Sequence, residues 1–264
     1  MDNDPRELLE LAADIAVQAG ELLAERQPQV RSFVGAKSSP TDMVTEVDTA
    51  SERMIVDLIL AIRPFDAILG EEGTAHAGRS GVRWVVDPLD GTTNFLYGFP
   101  MYAVSIAVED NGETVAGAVF NAATNELFSA GKGLGATLNG EPIRVSAETD
   151  LSRALVGTGF GYDASVRKDQ AEMLARLIGR VRDIRRAGSA ALDLCHVACG
   201  RMDAYYEQGL NTWDWAAGEL IVREAGGRAA FLAEPPFAAR PCIVAANPAL
   251  FERVKAAVLA AARG

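Results

Sequence analysis

Asp87-Pro88-Leu89-Asp90-Gly91-Thr92-Thr93-Asn94 is the most informative octapeptide of the chain, and it directly follows the apolar, strand-like run Trp84–Val86. Pro88 fixes its own φ and restricts the residue before it, and Gly91 permits a tight turn. These constraints predict that the two aspartates are held in a stiff turn at the end of a strand. Two carboxylates held close together repel each other, and a bound divalent cation removes that cost. Hard oxygen ligands at this spacing favour Mg²⁺, although an Asx turn that only reverses the chain has the same residues.

Three further acidic segments lie elsewhere in the chain. Gly70-Glu71-Glu72-Gly73 follows a short strand-like run, Trp213-Asp214-Trp215 stands at the start of a predicted helix, and Asp42–Asp48 precedes another. Each has a plain structural explanation when taken alone. Paired glutamates in loops are usually solvated, and Asp214 or Asp48 could cap or begin a helix. Only their combination with the central octapeptide points to a shared acidic site.

The hydrophobic pattern around these segments predicts a layered α/β fold. Helical periodicity covers residues 5–26 and 48–63, with a loop over 28–45 between them and Pro64 ending the second helix. Strand-like runs within residues 102–145 are separated by Gly and Asn, which indicates an antiparallel meander. Strand and helix then alternate, which is typical of layered architecture. The predicted strands are 155–157, 184–186, 204–206 and 242–245, and the predicted helices are 164–181, 189–199, 213–225 and 248–262.

Length and composition bound the class of protein. The 264 residues, 49% of them hydrophobic, suit one compact catalytic unit, with a soft boundary that gives an N-terminal half over 1–148 and a C-terminal half over 149–264. The net charge of -11 argues against nucleic acid and anionic membranes as partners. No signal peptide or long apolar span is visible, and three cysteines make no disulfide framework, so we expect a cytoplasmic protein.

The order of these segments resembles the inositol monophosphatase family. The resemblance covers residues 8 to 258 and implies an alternating α-β-α-β-α sandwich of the sugar-phosphatase type. It also implies a homodimer that hydrolyses a small-molecule phosphate ester, myo-inositol monophosphate, with a water activated by Mg²⁺, at two to three ions per subunit, and that is sensitive to lithium. The segments that match are Lys37-Ser38-Ser39-Pro40, Asp48, Gly70-Glu71-Glu72, Asp87–Asn94, Arg186–Ala191, Asp203–Glu207 and Trp213-Asp214.

The resemblance assigns a role to each matching residue. The first metal would be held by Glu71, Asp87 and the Leu89 carbonyl, the second by Asp87, Asp90 and Asp214, and a third ion would lie near Glu71. The catalytic residues would be Asp48, Thr92 and Glu71, and Lys37 would lie in a loop beside the site. The substrate-binding residues would be Asp90, Gly91, Thr92, Gly188, Ser189, Ala190, Glu207 and Asp214.

Several alternatives stay open on the sequence. Fructose-1,6-bisphosphatase and the nucleotide 3′-phosphatases would need a cation for a second phosphate, for which Arg185 and Arg186 are the nearest candidates. A histidinol-phosphate phosphatase would use an acid such as Glu207 near the cationic end of its substrate. A non-catalytic metal-binding regulatory protein is a different class, which the intact acidic positions disfavour. Trp215 could reshape the pocket edge or simply pack.

Overall fold

The computed structural model describes residues 3–32 and 40–263, with side chains described for residues 3–30 and 46–263. The first half of the chain forms α1 (Pro5–Ser32), α2 (Pro40–Ile62), β1 (Ala67–Gly70), β2 (Ala75–His76), β3 (Val82–Asp90), α3 (Thr92–Tyr97), β4 (Ala103–Asp110), β5 (Glu113–Asn121), β6 (Glu126–Gly131), β7 (Gly135–Leu138) and β8 (Glu141–Pro142). The second half forms β9 (Leu155–Thr158), α4 (Ala164–Leu177), β10 (Asp183–Arg185), α5 (Ala190–Ala198), β11 (Ala204–Gln208), α6 (Thr212–Glu224), β12 (Arg228–Leu232), β13 (Cys242–Ala246) and α7 (Phe251–Arg263).

The strands form two sheets. The larger has the order β2-β1-β3-β4-β5-β6-β7-β8, in which only the β1–β3 pair is parallel. The smaller has the order β10-β9-β11-β13-β12, with β9 parallel to both of its neighbours and β13 antiparallel to both of its own. The antiparallel meander predicted after residue 102 is therefore confirmed.

Helices cover both faces of each sheet. Successive side chains of a strand point to opposite faces, so alternate residues of one strand pack against different helices. In β4, Val104, Ile106 and Val108 share one hydrophobic core with α1 and α2, whereas Ala103 and Ala107 share another with α5 and α6. That second core also holds residues of the smaller sheet, so α5 and α6 lie between the two sheets. The outer face of the smaller sheet packs against α4 and α7. These five layers confirm the predicted α-β-α-β-α sandwich.

The boundaries of three predicted helices differ from those in the structure. The first helix continues through Pro28 to Ser32, because Val30 still packs into the core and extends its apolar face. The second helix begins at Pro40 rather than near Asp48. Asp48 therefore lies inside α2, and the interpretation of this residue as a helix cap was wrong. The helix predicted over 164–181 ends its α-helical part at Leu177 and continues as a short 3₁₀ turn.

The edge strand β12 was not predicted from the sequence. Its sequence, Arg-Ala-Ala-Phe-Leu, has no alternation of apolar and polar residues, and most of these residues are partly or fully exposed. It forms because its backbone pairs along the whole length of β13. Among the described residues, no helix is long and apolar enough to span a bilayer.

Candidate active site

The central octapeptide forms a β-bulge rather than a turn at a strand end. Strand β3 continues through it: Asp87 pairs with Ser105 and Asp90 pairs with Ala103, so β3 advances one residue more than β4 and the register shifts. Pro88 is tolerated there because a bulge leaves backbone groups outside the ladder. The prediction of a turn is thus corrected, but its consequence holds, since the bulge rigidly sets the spacing of the two aspartates. Gly91 then adopts φ 88°, as its role in the tight bend into α3 requires.

A cavity of about 200 Å³ lies beside the bulge. It is lined by acidic residues from three different segments: the turn after β1, the bulge, and the first turn of α6. The smaller sheet and the loop before α5 supply the other side. The predicted site residues that line it are Glu71, Asp87, Leu89, Asp90, Gly91, Thr92, Gly188, Ala190, Glu207 and Asp214.

Helix α2 holds both acidic segments of the larger sheet in place. Both carboxylate oxygens of Glu52 accept hydrogen bonds from the turn that follows β1, from the Glu72 amide at 2.9 Å and the Thr74 amide at 3.1 Å. The hydroxyl of Ser51 donates to the Pro88 carbonyl at 3.1 Å. Both side chains are buried. The position of Glu71 relative to Asp87 is therefore set by a helix that sequence reasoning did not connect with them.

The carboxylate of Asp90 joins the bulge to the start of α5. Its Oδ2 accepts hydrogen bonds from the Ser189 hydroxyl at 2.6 Å and from the Ala191 amide at 2.8 Å. The same Ser189 oxygen caps α5 by accepting from the Leu192 amide at 3.2 Å. Ser189 is buried and does not line the cavity, whereas Gly188 and Ala190 on either side of it do. Its hydroxyl is thus engaged with Asp90 and the helix end.

Burial and mutual repulsion raise the pKa values of the clustered acids. The pKa of Asp87 lies well above its usual range because the carboxyl is buried and faces Asp90, Glu71 and Asp214. Burial also raises the pKa of Glu71, which a hydrogen bond with Asp87 partly offsets. Burial, followed by the charge of Asp90, raises the pKa of Asp214 to about 7. The cavity thus concentrates more negative charge than it can hold uncompensated.

The predicted residues Asp48, Thr92 and Lys37 occupy different places. Asp48 is 4% exposed, and burial together with Glu72 and Glu71 raises its pKa to about 8. It lies near the Glu71 turn but outside the residues that line the cavity. The Thr92 hydroxyl lies in the cavity wall and donates to the Leu89 carbonyl at 3.2 Å. Lys37 lies outside the described residues.

The chemistry of these donors fits a hard divalent cation. Carboxylate and carbonyl oxygens are the ligands that Mg²⁺ prefers, and a cation offsets the repulsion that raises the pKa values of these acids. Three carboxylates also have protein donors: Leu89 to Asp87 at 3.0 Å, Asn211 to Asp214 at 2.6 Å, and the bonds to Asp90 above. In the part of the chain that the structure describes, no three His, Cys, Asp or Glu side chains are already grouped as a metal site. The donors therefore fit this cation by type and line one cavity, without an assembled coordination sphere.

Sequence reasoning missed one wall of the cavity. Phe160, Gly161 and Tyr162, in the loop after β9, line it, and Tyr162 is 83% exposed at the rim. The glycines on both sides of Phe160, directly after a predicted strand, were the available signal. Arg186, named from the sequence as a candidate for a second phosphate, is the one Lys or Arg among the described residues that line the cavity.

The indole of Trp215 stacks edge-on against Phe231, with ring centroids 4.9 Å apart, and packs against the central core. The packing alternative for this residue therefore fits the structure. The cysteines behave as expected from the sequence: Cys195 and Cys242 are buried, and Cys199 is partly so, all as thiols.

Comparisons with known proteins agree with this architecture. The model of the inositol monophosphatase family matches residues 4–263. The chain is 46% identical to the inositol-1-monophosphatase SuhB of Mycobacterium tuberculosis, over 97% of this chain and 95% of the relative. The solved structure of M. tuberculosis SuhB superimposes with a TM-score of 0.86 at 45% identity, covering 98% of each chain.

Two further matches differ in what is known of them. The chain is 44% identical to the Nus factor SuhB of Salmonella typhimurium strain LT2, over 83% of each protein. The structure of SaIMPase-II with inositol monophosphate bound superimposes with a TM-score of 0.77 at 30% identity, covering 96% of this chain and 94% of that one.

Proposed function

The chain belongs to the inositol monophosphatase family, and from this premise we propose that it hydrolyses myo-inositol monophosphate to inositol and phosphate. The observation that carries the proposal is the convergence of Glu71, Asp87, Asp90 and Asp214 on one cavity that Glu207 also lines. A cluster of acids would repel an anionic ester by itself, so the substrate phosphate requires a cation in the same cavity. The structure of a relative with inositol monophosphate bound gives independent support for the substrate.

We assign the metal to Mg²⁺, at two to three ions per subunit. Glu71, Asp87 and the Leu89 carbonyl would hold one ion, and Asp87, Asp90 and Asp214 would hold a second. When bound, Mg²⁺ lowers the pKa of a coordinated water and neutralises charge on the phosphoryl oxygens. Glu71 and Asp87, whose pKa values are raised by burial in the absence of a cation, would then both be ionised.

We assign the attacking water to Thr92, Asp48 and Glu71. The Thr92 hydroxyl lies in the cavity wall next to the Leu89 carbonyl, so it can orient a water on the bulge side of the phosphate. Asp48 Oδ1 is buried and has no hydrogen-bond partner among the described residues. Burial, and then the charges of Glu72 and Glu71, raise its pKa, and a bound cation that offsets these charges would favour the ionised form, which can take up a proton that leaves the site. This division of labour predicts that loss of the Thr92 hydroxyl lowers kcat more than it changes KM.

The polyol end of the substrate would face the other wall of the cavity. Gly188 and Ala190 offer backbone groups there, and Glu207 offers a carboxylate that accepts hydrogen bonds from ring hydroxyls. Ser189 would act through its backbone and through the bond that orients Asp90. Gly91 and Thr92, at the start of α3, would contact the phosphate.

A second candidate substrate class is a sugar bisphosphate such as fructose 1,6-bisphosphate. Arg186 favours it, because this guanidinium lies in the cavity wall and could pair with a second phosphate. Histidinol phosphate, a cationic amine, would instead be favoured by Glu207. Arg186 and Glu207 carry opposite charges and favour different substrates, so the substrates must be compared directly.

The deciding experiment measures phosphate release from myo-inositol 1-phosphate, fructose 1,6-bisphosphate and histidinol phosphate, with Mg²⁺ or with EDTA. We expect the highest kcat/KM on inositol 1-phosphate and no turnover in EDTA. A higher kcat/KM on either competitor would reassign the substrate, and undiminished turnover in EDTA would contradict the metal assignment.

We also propose a homodimer that works in the cytoplasm, and a functional division into halves 1–148 and 149–264 that meet at the cavity. The large side chains of Phe99 and Tyr162 are exposed and are available for subunit contact. A monomeric mass in light scattering at micromolar concentration would contradict the dimer. That the protein has no nucleic-acid partner stays a prediction from its charge, to be tested by RNA binding because one relative is named a Nus factor.

A further inference from the structure

Tyr205 and Glu207 lie two positions apart on β11, so their side chains leave the same face of the smaller sheet. Tyr205 is completely buried on that face, in the core shared with α5 and α6. Its hydroxyl donates a hydrogen bond of 2.5 Å to Glu207 Oε2. Glu207 in turn lines the cavity. This bond therefore links the rigid core between the two sheets to a side chain in the wall of the site.

We propose that Tyr205 is a positioning residue, which fixes the Glu207 carboxylate so that it can recognise the hydroxyl groups of a polyol substrate. The inference rests on the proposed function, in which Glu207 binds the polyol end. With Oε2 engaged by Tyr205, the second oxygen, Oε1, is left to accept from a substrate hydroxyl. Hydrogen bonds from a hydroxyl to a carboxylate are short and strong, and they fix orientation as well as distance.

Gly159 restrains the same carboxylate from another direction. A Cβ atom at residue 159 would overlap both carboxylate oxygens of Glu207. Glu207 is thus held between a hydroxyl donor and the backbone of the loop that lines the cavity. A carboxylate confined in this way loses little conformational entropy when it binds, so its contribution to substrate affinity is larger than that of a mobile one.

The charges around Glu207 make this support necessary. Asp90 and the buried Asp193 face it, and Arg186 is the cation on its side of the cavity. Burial, and then the charge of Asp90, disfavour the ionised form of Glu207 and raise its pKa to about 7. The Tyr205 hydroxyl opposes this by favouring the ionised, inward-held form of Glu207, which is the form that accepts hydrogen bonds from polyols.

The chain contains a matched control in the next residue. Tyr206 lies on the same strand, but its side chain leaves the opposite face and packs with α4 and α7. It is 4% exposed, and its hydroxyl has no hydrogen-bond partner among the described residues, so Tyr206→Phe removes a hydroxyl from a buried ring without breaking a hydrogen bond to Glu207. Any effect specific to Tyr205→Phe must then come from the bond to Glu207.

The experiment measures kcat and KM of Y205F, Y206F, E207Q and Y205F/E207Q in the Mg²⁺-loaded protein. The substrates are myo-inositol 1-phosphate and 4-nitrophenyl phosphate, which has no hydroxyl for Glu207 to bind. We expect Y205F to raise KM for inositol 1-phosphate about tenfold, as the loss of a charge-assisted bond allows, with kcat nearly unchanged. Its kinetics on 4-nitrophenyl phosphate should match those of Y206F and of the unmodified protein. The double variant should be no worse than E207Q.

Three results would overturn the role of Tyr205: an unchanged KM, equal losses on both esters, or losses that add in the double variant. If the unmodified protein cleaves 4-nitrophenyl phosphate but not inositol 1-phosphate, the proposed function fails, and so does recognition of that polyol. If Y205F does not fold, G159A displaces the carboxylate while leaving Tyr205 intact. It should raise KM for inositol 1-phosphate selectively, and an unchanged KM would again refute the proposal.

Discussion

Asp90 is a residue of the larger sheet that forms hydrogen bonds with the start of α5, one of the helices between the two sheets. It lies at the end of the bulge, lines the cavity, and accepts hydrogen bonds from Ser189 and Ala191 at the start of α5. Burial raises its pKa, which these hydrogen bonds partly offset. The Asp90 carboxylate thus contributes to the predicted metal site and also joins the bulge in β3 to the start of α5.

Asp90→Asn should lower kcat by more than ~10²-fold, because the amide keeps the shape of the side chain but removes a charge that holds the metal. The Mg²⁺-induced rise in Tm, which follows from preferential binding to the folded state, should shrink as well. Stopped assays and thermal unfolding with graded MgCl₂ measure the two effects. Asp57→Asn is the control, since the Asp57 side chain is 73% exposed in a surface ion pair. A folded D90N protein with near-normal turnover would refute the metal assignment.

His196, in the last turn of α5, carries a pH dependence that is independent of the metal site. Burial, and then the charge of Arg201, lower its pKa from 6.5 to about 4, while its ring packs edge-on against Phe128. The unfolded chain therefore binds a proton between pH 6.5 and 4 that the folded protein does not. The contribution of His196 to stability is complete above pH 6.5 and is lost as the pH falls towards 4.

His196→Gln should reduce the acid sensitivity that comes from this residue. The free energy of unfolding of the unmodified protein, relative to H196Q, should fall by ~1–3 kcal/mol between pH 7 and pH 4. Urea unfolding at a series of pH values measures the difference. The exposed His76 on β2 provides the control variant, H76Q, which should follow the unmodified protein. A constant difference across this pH range would show that His196 titrates normally.

At the scale of elements, α3 is the short helix that joins the bulge to the loop before α5. Its Asn94 is 9% exposed and donates two hydrogen bonds, to the Met101 carbonyl at 2.6 Å and to the Ala187 carbonyl at 2.9 Å. Met101 lies just before β4, and Ala187 directly precedes Gly188. The amide of Asn94 therefore fixes one wall of the cavity against the other.

Asn94→Asp should loosen this junction. The substitution preserves shape but replaces the donor with a carboxylate that faces two carbonyls, so we expect a loss of ~1–3 kcal/mol in the free energy of unfolding. KM should also rise, because the loop carrying Gly188 is no longer tied to α3. Asn125→Asp is a matched control at an exposed turn, where Asn125 adopts φ 55° and Asp is tolerated. Equal stability of N94D and N125D would contradict the role given to Asn94.

At the scale of the whole molecule, an acidic protein with a net charge of -11 is proposed to bind an anionic substrate. The chain has one cation in the described cavity wall, Arg186, against several buried acids. Electrostatic attraction for a phosphate ester must therefore come from bound cations. The identity of the cation should then control activity more than any surface charge does.

Mg²⁺ should support turnover, whereas Ca²⁺ should bind and raise Tm but support turnover about 10²-fold lower. The bulge sets the spacing of Asp87 and Asp90, which suits bonds of ~2.1 Å, and Ca²⁺ requires ~2.3–2.6 Å and more ligands. Misplacement of reacting groups on this scale costs about 10²-fold in rate.

Li⁺, close to Mg²⁺ in size, should inhibit uncompetitively by occupying the site beside Asp90 and Asp214. Assays at fixed Mg²⁺ with graded LiCl, and NaCl at matched ionic strength, check this. Equal turnover in Ca²⁺ and Mg²⁺ with indifference to Li⁺ would argue against the site.

The sequence by itself determined the layered α/β class, and its resemblance to the family supplied the order of the layers and the candidate acids. Periods of 2 and 3.6 residues record which faces are buried, so the meander and the alternating second half followed from local pattern. The acids that line the cavity could be named because they stand in characteristic short segments. The cap at Asp48 and the turn at Asp87 were wrong because local preference cannot show that α2 starts earlier or that β3 continues through a bulge.

Only the tertiary structure decided which distant residues meet. The hydrogen bonds from Ser189 and Ala191 to Asp90, and the bond from Asn94 to the Ala187 carbonyl, have no local signature. Each depends on how two sheets pack on α5 and α6, which brings together residues far apart in the chain. Local sequence fixes backbone preference and burial, whereas distances between side chains on separate elements are set by the packing of the complete core.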